Sequence, residues 1–238
     1  MLNKLRYYYC KVKGDIRANE YFYYPRDFFS DVDDVDDVFN MIYLKNTWGS
    51  KESASGRGSE IQHTKTLLKK LNSLTKELEV KSMLDAPCGD FNWMKNLYKT
   101  GISYIGMDIV EDLIASLNTK YAQDSQVAFQ TGNIIEGGLP QVDLIFCRDC
   151  LVHFSFEDIH QSLSNFKKSG SKFLLTTTYT ERGVNRDIQT GGWRPINLKE
   201  EPFNLPKPLK IIHENNLDDH GIYFDKCMAL WKLSDINI

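Results

Sequence analysis

The sequence lacks several features, and each absence excludes a class of protein. No apolar run approaches the about 20 residues that cross a bilayer. The N-terminus has neither the apolar segment nor the small-residue cleavage site of a signal peptide. Positive charge is not in excess, because 29 Lys and Arg stand against 32 Asp and Glu, a net charge of −3. We therefore expect a cytoplasmic protein with neither a membrane nor nucleic acid as its partner.

Cysteine is sparse and scattered, which argues against both a disulfide framework and a metal site. The five cysteines are odd in number and suit reduced thiols in the cytoplasm. Cys147 and Cys150 form one CxxC, but the chain has no second CxxC and no histidine at zinc-finger spacing. The pair also ends an apolar run. We expect no bound metal.

Apolar runs alternate with helical patterns from residue 82 onward, which predicts an α/β fold. Strands are expected at about residues 82–84, 104–107, 127–130, 142–147 and 172–177, with helices at about 92–98, 111–121 and 155–167. This alternation is typical of βαβ units and a parallel sheet with helices on both faces. Two further runs, 209–212 and 228–233, have no helical pattern between them and predict a terminal antiparallel hairpin. The expected architecture is a Rossmann-like, seven-stranded, mostly parallel sheet.

The first 58 residues form an N-terminal extension in this interpretation, and residues 59–238 form the α/β domain. Aromatic residues are frequent between residues 7 and 29, and an acidic stretch follows in which Val32, Val35, Val38 and Phe39 have helical spacing. Small residues then dominate positions 46–59, as in a linker or a loop that folds over a ligand. Ser59 with Gln62 has the spacing of a capping box and predicts the start of the next helix. The extension either covers the site or forms a homodimer contact.

Polar residues end the first three expected strands, where open α/β sheets bind their ligands. Residues 85–89 form a small-residue turn that lets the backbone approach a ligand closely. Asp108 ends the second strand, where a carboxylate can accept hydrogen bonds from both hydroxyls of a ribose. Asn133 follows the third strand, with Ile109 and Ile134 placed to enclose an adenine ring. The turn has one glycine rather than G-x-G-x-x-G. The pattern therefore indicates an adenosine-containing cofactor without a pyrophosphate, and disfavours a nucleotide-sugar dehydrogenase or epimerase.

Three segments resemble class I S-adenosylmethionine-dependent methyltransferases: LDAPCGDFNWM at 84–94, GMDIV at 106–110 and CRDCLVHF at 147–154. At the level of the fold the resemblance covers residues 60–238, and it implies a seven-stranded sheet with a reversed terminal hairpin. The implied cofactor contacts are Asp85, Ala86, Pro87, Cys88, Gly89, Asp108, Ile109, Asn133, Ile134 and Arg148. Two positions depart from the family pattern. Pro87 removes a backbone donor from the turn, and Asn133 stands where aspartate is common.

The acceptor side of the reaction is predicted from residues after the fourth and fifth strands. His153 would lie beside the transferred methyl group and act as general base for a hydroxyl, with Asp149 orienting it or contacting the cofactor. Alternatively, His153 packs or caps the helix that Ser155 opens. The expected acceptor is a sugar-containing or anionic small molecule, because guanidinium groups bind phosphate or carboxylate and tryptophan stacks on a flat ring. The expected substrate contacts are Trp48, Arg57, Arg182, Arg186, Trp193 and Arg194.

A narrower resemblance concerns the biological setting. Trp48-Gly49-Ser50 and TGGWRP at 190–195 resemble a bacterial group associated with capsular and other surface polysaccharides, including methylation tied to phosphoramidate-type decorations. This implies a phosphorylated or nucleotide-linked sugar as acceptor. A protein or nucleic-acid methyltransferase is disfavoured, since Arg148-Asp149-Cys150 stands where Asn- or Asp-Pro-Pro-Tyr/Phe is usual. A non-catalytic, cofactor-binding scaffold subunit is the alternative of a different class.

Overall fold

A seven-stranded sheet forms the centre of the computed structural model, which describes Val32 and residues 34–97, 101–214 and 223–238. The strands are β1 (Ser82–Asp85), β2 (Ser103–Asp108), β3 (Val127–Thr131), β4 (Leu144–Cys147), β5 (Phe173–Tyr179), β6 (Lys210–His213) and β7 (Lys226–Lys232). Their order is β3-β2-β1-β4-β5-β7-β6. Strands β1 to β5 are parallel, and β7 runs antiparallel to both β5 and β6. The predicted fold class and terminal hairpin are confirmed.

Four helices accompany the sheet in the described residues: α1 (Val35–Leu44), α2 (Ile61–Glu77), α3 (Glu111–Lys120) and α4 (Phe156–Lys168). Apolar residues of α2 and α3 belong to one core layer, and those of α4 belong to the other. In α4 the apolar spacing of Ile159, Leu163 and Phe166 places one stripe against the sheet. Ser155 caps this helix by accepting a hydrogen bond from the Asp158 amide, as the sequence predicted.

Two local predictions were wrong. The residues around 92–98 form only a short 3-10 turn, Met94–Asn96, in their described part. Helix α2 has Glu60 rather than Ser59 as its N-cap residue, and the Glu60 side chain makes no capping hydrogen bond. Instead the carboxylate of Glu52, in the preceding loop, accepts the Ile61 amide at 2.8 Å. The free amide at the start of α2 is therefore bound by a residue of the preceding loop, and not by the nearby side chain that the capping pattern predicted.

The acidic segment forms the amphipathic helix α1, capped by Asp34, which accepts from the amides of Asp36 and Asp37. Val38 and Ile42 are buried on its apolar face. The aromatic segment before it lies outside the described residues, as does any homodimer contact made there. Helix α1 thus joins the described part of the N-terminal extension to the rest of the fold.

Other sequence expectations concern cysteines, metals and membrane spans. Four free, buried thiols are described, at Cys88, Cys147, Cys150 and Cys227, while Cys10 lies outside the described residues. Within the described ranges, no cluster of three or more His, Cys, Asp or Glu side chains is arranged to hold a metal ion. None of the helices in that same part of the chain has the length and apolarity to cross a membrane.

Candidate active site

A cavity of about 430 Å³ opens at the carboxyl ends of the parallel strands. Its floor is formed by residues that end or follow β1 to β5, and α1 and the loop at 46–60 cover it. The predicted site residues that line it are Trp48, Arg57, Asp85, Pro87, Cys88, Gly89, Asp108, Ile109, Asn133, Ile134, Arg148, Asp149, His153 and Trp193. Strand ends far apart in sequence therefore meet at one site, as expected for this topology.

Asp108, at the end of β2, is positioned by the turn that follows β1. One carboxylate oxygen accepts the Gly89 amide at 2.9 Å, and the other accepts the Val110 amide at 3.2 Å. Burial raises the pKa of this carboxyl, and the backbone amides oppose that shift. Each oxygen keeps lone-pair capacity toward the cavity, as recognition of two ribose hydroxyls requires.

The turn itself permits this approach because Gly89 has φ of +53°. A Cβ at this position would lie 1.8 Å from Oγ of Ser55, in the covering loop. Apolar side chains of Met107, Ile109 and Ile134 complete this end of the cavity. A buried carboxylate, a glycine turn and apolar walls fit the ribose and adenine of an adenosine-containing cofactor.

Asp85 is buried at the end of β1, where it accepts a hydrogen bond from the Tyr104 hydroxyl. Burial raises its pKa to about 8, and the bond from Tyr104 opposes the shift. Asp85 therefore keeps its proton up to about pH 8 in the folded protein, whereas it loses that proton near its ordinary pKa of about 4 in the unfolded chain.

This difference makes the free energy of unfolding fall as pH rises from about 4 to 8 and level off above that range. Asp85→Asn retains an acceptor for Tyr104 and does not titrate. We expect the variant to gain about 4 kcal/mol relative to wild type between pH 5 and pH 9. Urea unfolding at pH 5, 7 and 9 measures this difference. If the free energies of unfolding of the two proteins changed in parallel with pH, Asp85 would be ionised in the folded protein, which would contradict this expectation.

Asn133 lines the cavity, but its side chain is already engaged with the protein. Its Nδ2 donates to Asp36 of α1 at 3.1 Å, and its Oδ1 accepts the Ile135 amide at 2.9 Å. The sequence prediction paired this amide with an adenine edge. In the structure the amide instead attaches α1 to the end of β3, and one lone pair of Oδ1 is left for a ligand.

Asp90 anchors the covering loop, a role that the sequence pattern did not reveal. Its carboxylate accepts the Ser53 hydroxyl at 3.0 Å and the Ala54 amide at 2.8 Å. The Glu52 carboxylate, also in this loop, accepts a hydrogen bond from the side-chain amide of Asn92 at 2.8 Å. The loop that could have been a linker is therefore bound to the β1 turn and forms one wall of the cavity.

An alternating cluster of charges lies at the opposite end of the cavity, beyond β4. Arg148 binds Glu214 through Nε at 3.2 Å and Nη2 at 2.6 Å, and it also donates to the Gly58 carbonyl at 3.1 Å. Lys226 Nζ lies 2.6 Å from Asp149 Oδ2. Burial raises the pKa of Asp149, but Lys226 and Arg148 outweigh that effect and lower it to about 2. Asp149 is therefore a carboxylate at neutral pH and a weaker base than the neighbouring His153.

His153 lies beside this cluster with a defined tautomer. Its Nδ1 is 2.8 Å from the Gly192 carbonyl, which can only accept, so Nδ1 carries the proton and Nε2 is the acceptor. Burial lowers the pKa of His153 to about 4, although the bond to Gly192 opposes the shift. The ring lies against Trp48, with centroids 5.6 Å apart, and against Phe39 at 6.5 Å. His153 is thus a neutral imidazole that lines the cavity.

Four predicted contacts do not line the cavity. Ala86 is fully buried, and its amide donates to Phe146 within the sheet. Arg182 forms a buried, bidentate pair with Asp225, and Arg186 is exposed on the loop after β5. Arg194 is 2% exposed and donates to the backbone carbonyls of Arg186, Leu151 and Phe154. The arginine-rich loop therefore does not form the expected anion site, because these guanidinium groups hold the loop together instead.

Replacing Arg194 consequently tests folding rather than substrate binding. We expect Arg194→Ala to lower the free energy of unfolding by about 3–5 kcal/mol, because charge-assisted bonds contribute about 1.5–3 kcal/mol each and buried carbonyls lose their donor. Thermal or urea unfolding measures the loss. Arg186→Ala, at an exposed position, should change stability by less than about 1 kcal/mol. A wild-type stability of Arg194→Ala together with a raised KM for the acceptor would restore the substrate role.

Sequence reasoning missed several side chains that line the cavity: Phe39, Tyr43, Trp93, Phe154, Tyr179, Tyr223 and Lys226. Phe39 had appeared only as an apolar residue of a helix. Lys226 begins β7, on the far side of the sheet order from the cofactor turns, and no motif surrounds it. Its sequence signal is a lysine at the start of a mostly apolar strand, and many surface lysines share that pattern with this buried one.

Comparison with known proteins concerns the domain and the fold. Residues 83–169 match a family model described as a methyltransferase domain. No curated protein sequence matches the chain. Among solved structures, magnesium protoporphyrin IX methyltransferase from Synechocystis PCC 6803 with bound S-adenosylhomocysteine is 13% identical, with a TM-score of 0.53 over 87% of this chain and 97% of that chain.

Two further structures share the fold at similar identity. The 1,6-didemethyltoxoflavin-N1-methyltransferase of Burkholderia thailandensis, with 1,6-didemethyltoxoflavin and S-adenosylhomocysteine bound, is 13% identical with a TM-score of 0.57, covering 82% of this chain and 87% of that chain. Human N-acetylserotonin methyltransferase in complex with S-adenosylmethionine is 13% identical with a TM-score of 0.50, and the match covers 83% of this chain and 65% of that chain. Residues 83–169 thus match a methyltransferase domain, and the chain shares the fold of enzymes crystallised with S-adenosylmethionine or S-adenosylhomocysteine.

Proposed function

We propose that this protein is an S-adenosylmethionine-dependent methyltransferase that modifies a hydroxyl oxygen of a small-molecule acceptor, with His153 as the general base. The observation that carries the proposal is the hydrogen bond from His153 Nδ1 to the Gly192 carbonyl. It leaves Nε2 unprotonated in a residue that lines the cavity. A neutral hydroxyl needs such a base, whereas an acceptor oxygen that is already anionic needs none.

The cofactor supplies an electrophilic methyl group on a sulfonium. In the proposed arrangement Asp108 holds the ribose, the turn at 85–89 contacts the methionine part, and the acceptor occupies the end near His153. With the cofactor bound, the acceptor oxygen would form its bond to the methyl carbon as the sulfonium sulfur–carbon bond breaks, and the hydroxyl proton would pass to His153 Nε2. The protein contributes alignment and the removal of one proton, which are the main requirements of an in-line displacement.

A small acceptor is supported by the cover over the cavity. Phe39 of α1 and Trp48 of the loop both lie against the His153 ring, so bulky aromatic side chains bound the cavity there. Two of the neighbouring structures are named for porphyrin and toxoflavin methylation, and both substrates are small molecules. We further propose that residues 1–58 are an extension whose described part closes the site of the domain at 59–238.

A sugar-bearing intermediate of surface-glycan biosynthesis is the acceptor that the sequence resemblance favours. Trp193 and the other aromatic residues around the cavity offer flat faces for a ring. Arg57, an exposed residue that lines the cavity, is placed to meet a phosphate or nucleotide attached to such a ring. In this form of the proposal the anionic group of the acceptor lies at the edge of the cavity near Arg57, and the ring that is methylated is neutral.

Transfer of a labelled methyl group tests the proposal. The protein is incubated with tritium-labelled S-adenosylmethionine and a panel of nucleotide-linked sugars, sugar phosphates and free glycosides, and products are identified by mass spectrometry and NMR. We expect a methyl ether on one ring hydroxyl. Methylation of nitrogen, of a protein or of a nucleic acid would contradict the proposal. Cofactor binding without transfer to any of these acceptors would favour the scaffold alternative.

A further inference from the structure

We propose that Lys226 and Asp149 together bind two adjacent hydroxyl groups of the acceptor, so that the acceptor is a neutral ring carrying a vicinal diol. The inference rests on the proposed function and adds the class of substrate to it. It starts from the ion pair that these two residues form at the edge of the cavity, where both line the wall near His153.

The geometry of the pair leaves one donor and one acceptor for a ligand. The side chain of Lys226 is 7% exposed, and its ammonium lies 2.6 Å from Asp149 Oδ2 and 3.6 Å from Glu214 Oε2. An ammonium has three protons, so one remains beyond these two carboxylates. Asp149 Oδ1 has a weak contact of 3.4 Å with the Thr177 hydroxyl, and the Asp149 side chain is 30% exposed. The pair therefore presents complementary groups next to each other.

The charges around the pair favour a neutral ligand. Arg148 and Lys226 are balanced by Asp149 and Glu214, and His153 is neutral at physiological pH. An anionic group placed between them would meet the Asp149 carboxylate and disturb ion pairs that are already formed. A diol can instead donate one hydrogen bond to Asp149 and accept one from Lys226, which leaves every charge paired.

The neighbouring aromatic residues explain why the diol would belong to a ring. Trp193 and Tyr223 pack edge to face with centroids 5.2 Å apart, and Tyr179 lies 6.4 Å from Trp193. All three line the same cavity as the ion pair. Such a wall accepts either the C–H face of a saturated sugar or the π face of a catechol. Both ligands carry the same pair of adjacent hydroxyls.

The pair and the base line the same cavity, so one ring can be placed against both. We place one hydroxyl of the diol at His153 Nε2, where it loses its proton as its oxygen forms the bond to the methyl group. The adjacent hydroxyl is held by Lys226 and Asp149 and keeps its proton. This makes Lys226 a residue that determines acceptor specificity.

Calorimetric titration of the protein saturated with S-adenosylhomocysteine tests the inference with simple ring compounds as probes. The probes are catechol against phenol, and methyl hexopyranosides against their monodeoxy analogues. We expect one diol series to bind at least tenfold more tightly than its analogues, and the series that does so distinguishes the aromatic from the saturated source. Hexuronates, which carry a carboxylate on the ring, should bind more weakly than the neutral glycosides.

Lys226→Met should remove this preference, with diol affinity falling at least tenfold, while S-adenosylhomocysteine still binds. Lys226→Arg keeps the positive charge and serves as the variant to use if the methionine variant does not fold; it should retain part of the preference. Lys232→Met, at the exposed end of β7, is the matched control and should bind diols as wild type does.

Equal binding of diols and their analogues, preference for hexuronates, wild-type diol affinity in Lys226→Met, or binding of no probe would each overturn the inference. The proposed function fails on a different observation, namely methyl transfer to an atom other than a hydroxyl oxygen.

Discussion

Replacing Asp108 by alanine is expected to abolish most cofactor binding, with the Kd for S-adenosylhomocysteine rising by about 100- to 10,000-fold. The carboxylate is buried at the end of β2, and we expect it to accept hydrogen bonds from two ribose hydroxyls. Hydrogen bonds to a charged group contribute about 1.5–3 kcal/mol each, and about 1.4 kcal/mol corresponds to a factor of ten in Kd. Isothermal titration of wild type and variant measures the change.

Two further variants separate binding from folding in this experiment. Asp108 also accepts the amides of Gly89 and Val110, so its loss disturbs the turn as well as the ligand contact. Asp108→Asn keeps an acceptor for one amide and should still weaken binding strongly. Asp112→Ala removes an exposed carboxylate from the first turn of α3 and should bind as wild type does. Near-wild-type affinity in a folded Asp108→Asn would place the ribose elsewhere.

Replacing His153 by asparagine is expected to lower kcat by about 100- to 10,000-fold, the usual contribution of a general base. Asparagine retains a donor near the position of Nδ1, so the bond to the Gly192 carbonyl can persist while Nε2 is lost. The Kd for S-adenosylhomocysteine should stay near the wild-type value. His160→Asn, on α4 and outside the cavity lining, should leave kcat unchanged. Initial rates at saturating cofactor measure these effects.

The pH dependence of the rate gives a second test of His153. Because burial lowers its pKa to about 4, the imidazole is already neutral at pH 6. We therefore expect kcat/KM of the wild type to stay level between pH 6 and 8, whereas a histidine of ordinary pKa would lose half of its basic form near pH 6.5. An undiminished kcat in His153→Asn would mean that the acceptor oxygen is already ionised, as in a phosphate, or that His153 only packs.

The sheet, and the meeting of the ends of β1, β2 and β3 at one cavity, could be predicted because their signals are local and repeated. Each of these strands is a short run of mostly apolar residues; Asp108 ends one such run, and Gly89 and Asn133 come shortly after two others. Parallel strands must bring these ends together, so position along the chain was enough to infer proximity. Where a prediction depended on one side chain alone, as with Ser59 at the start of α2, a contact from Glu52 replaced it.

The acceptor end could not be predicted in the same way, because pairing over long sequence distances decides it. Arg182 and Arg194 have the residue type of anion ligands, yet Asp225 and three backbone carbonyls occupy their guanidinium groups. Lys226 faces the cavity only because the antiparallel pairing of β7 with β5 brings it beside Asp149. Residue type alone does not reveal whether a charge meets a ligand or a partner in the fold.

A crystal structure of the protein with S-adenosylhomocysteine bound tests the assignment of the site most directly. We predict both ribose hydroxyls on the Asp108 carboxylate, the adenine between Ile109 and Ile134, and the thioether sulfur at the end of the cavity that holds His153 and Asp149. A ligand bound outside this cavity, or one whose sulfur points away from His153, would contradict the assignment of the site and of its base.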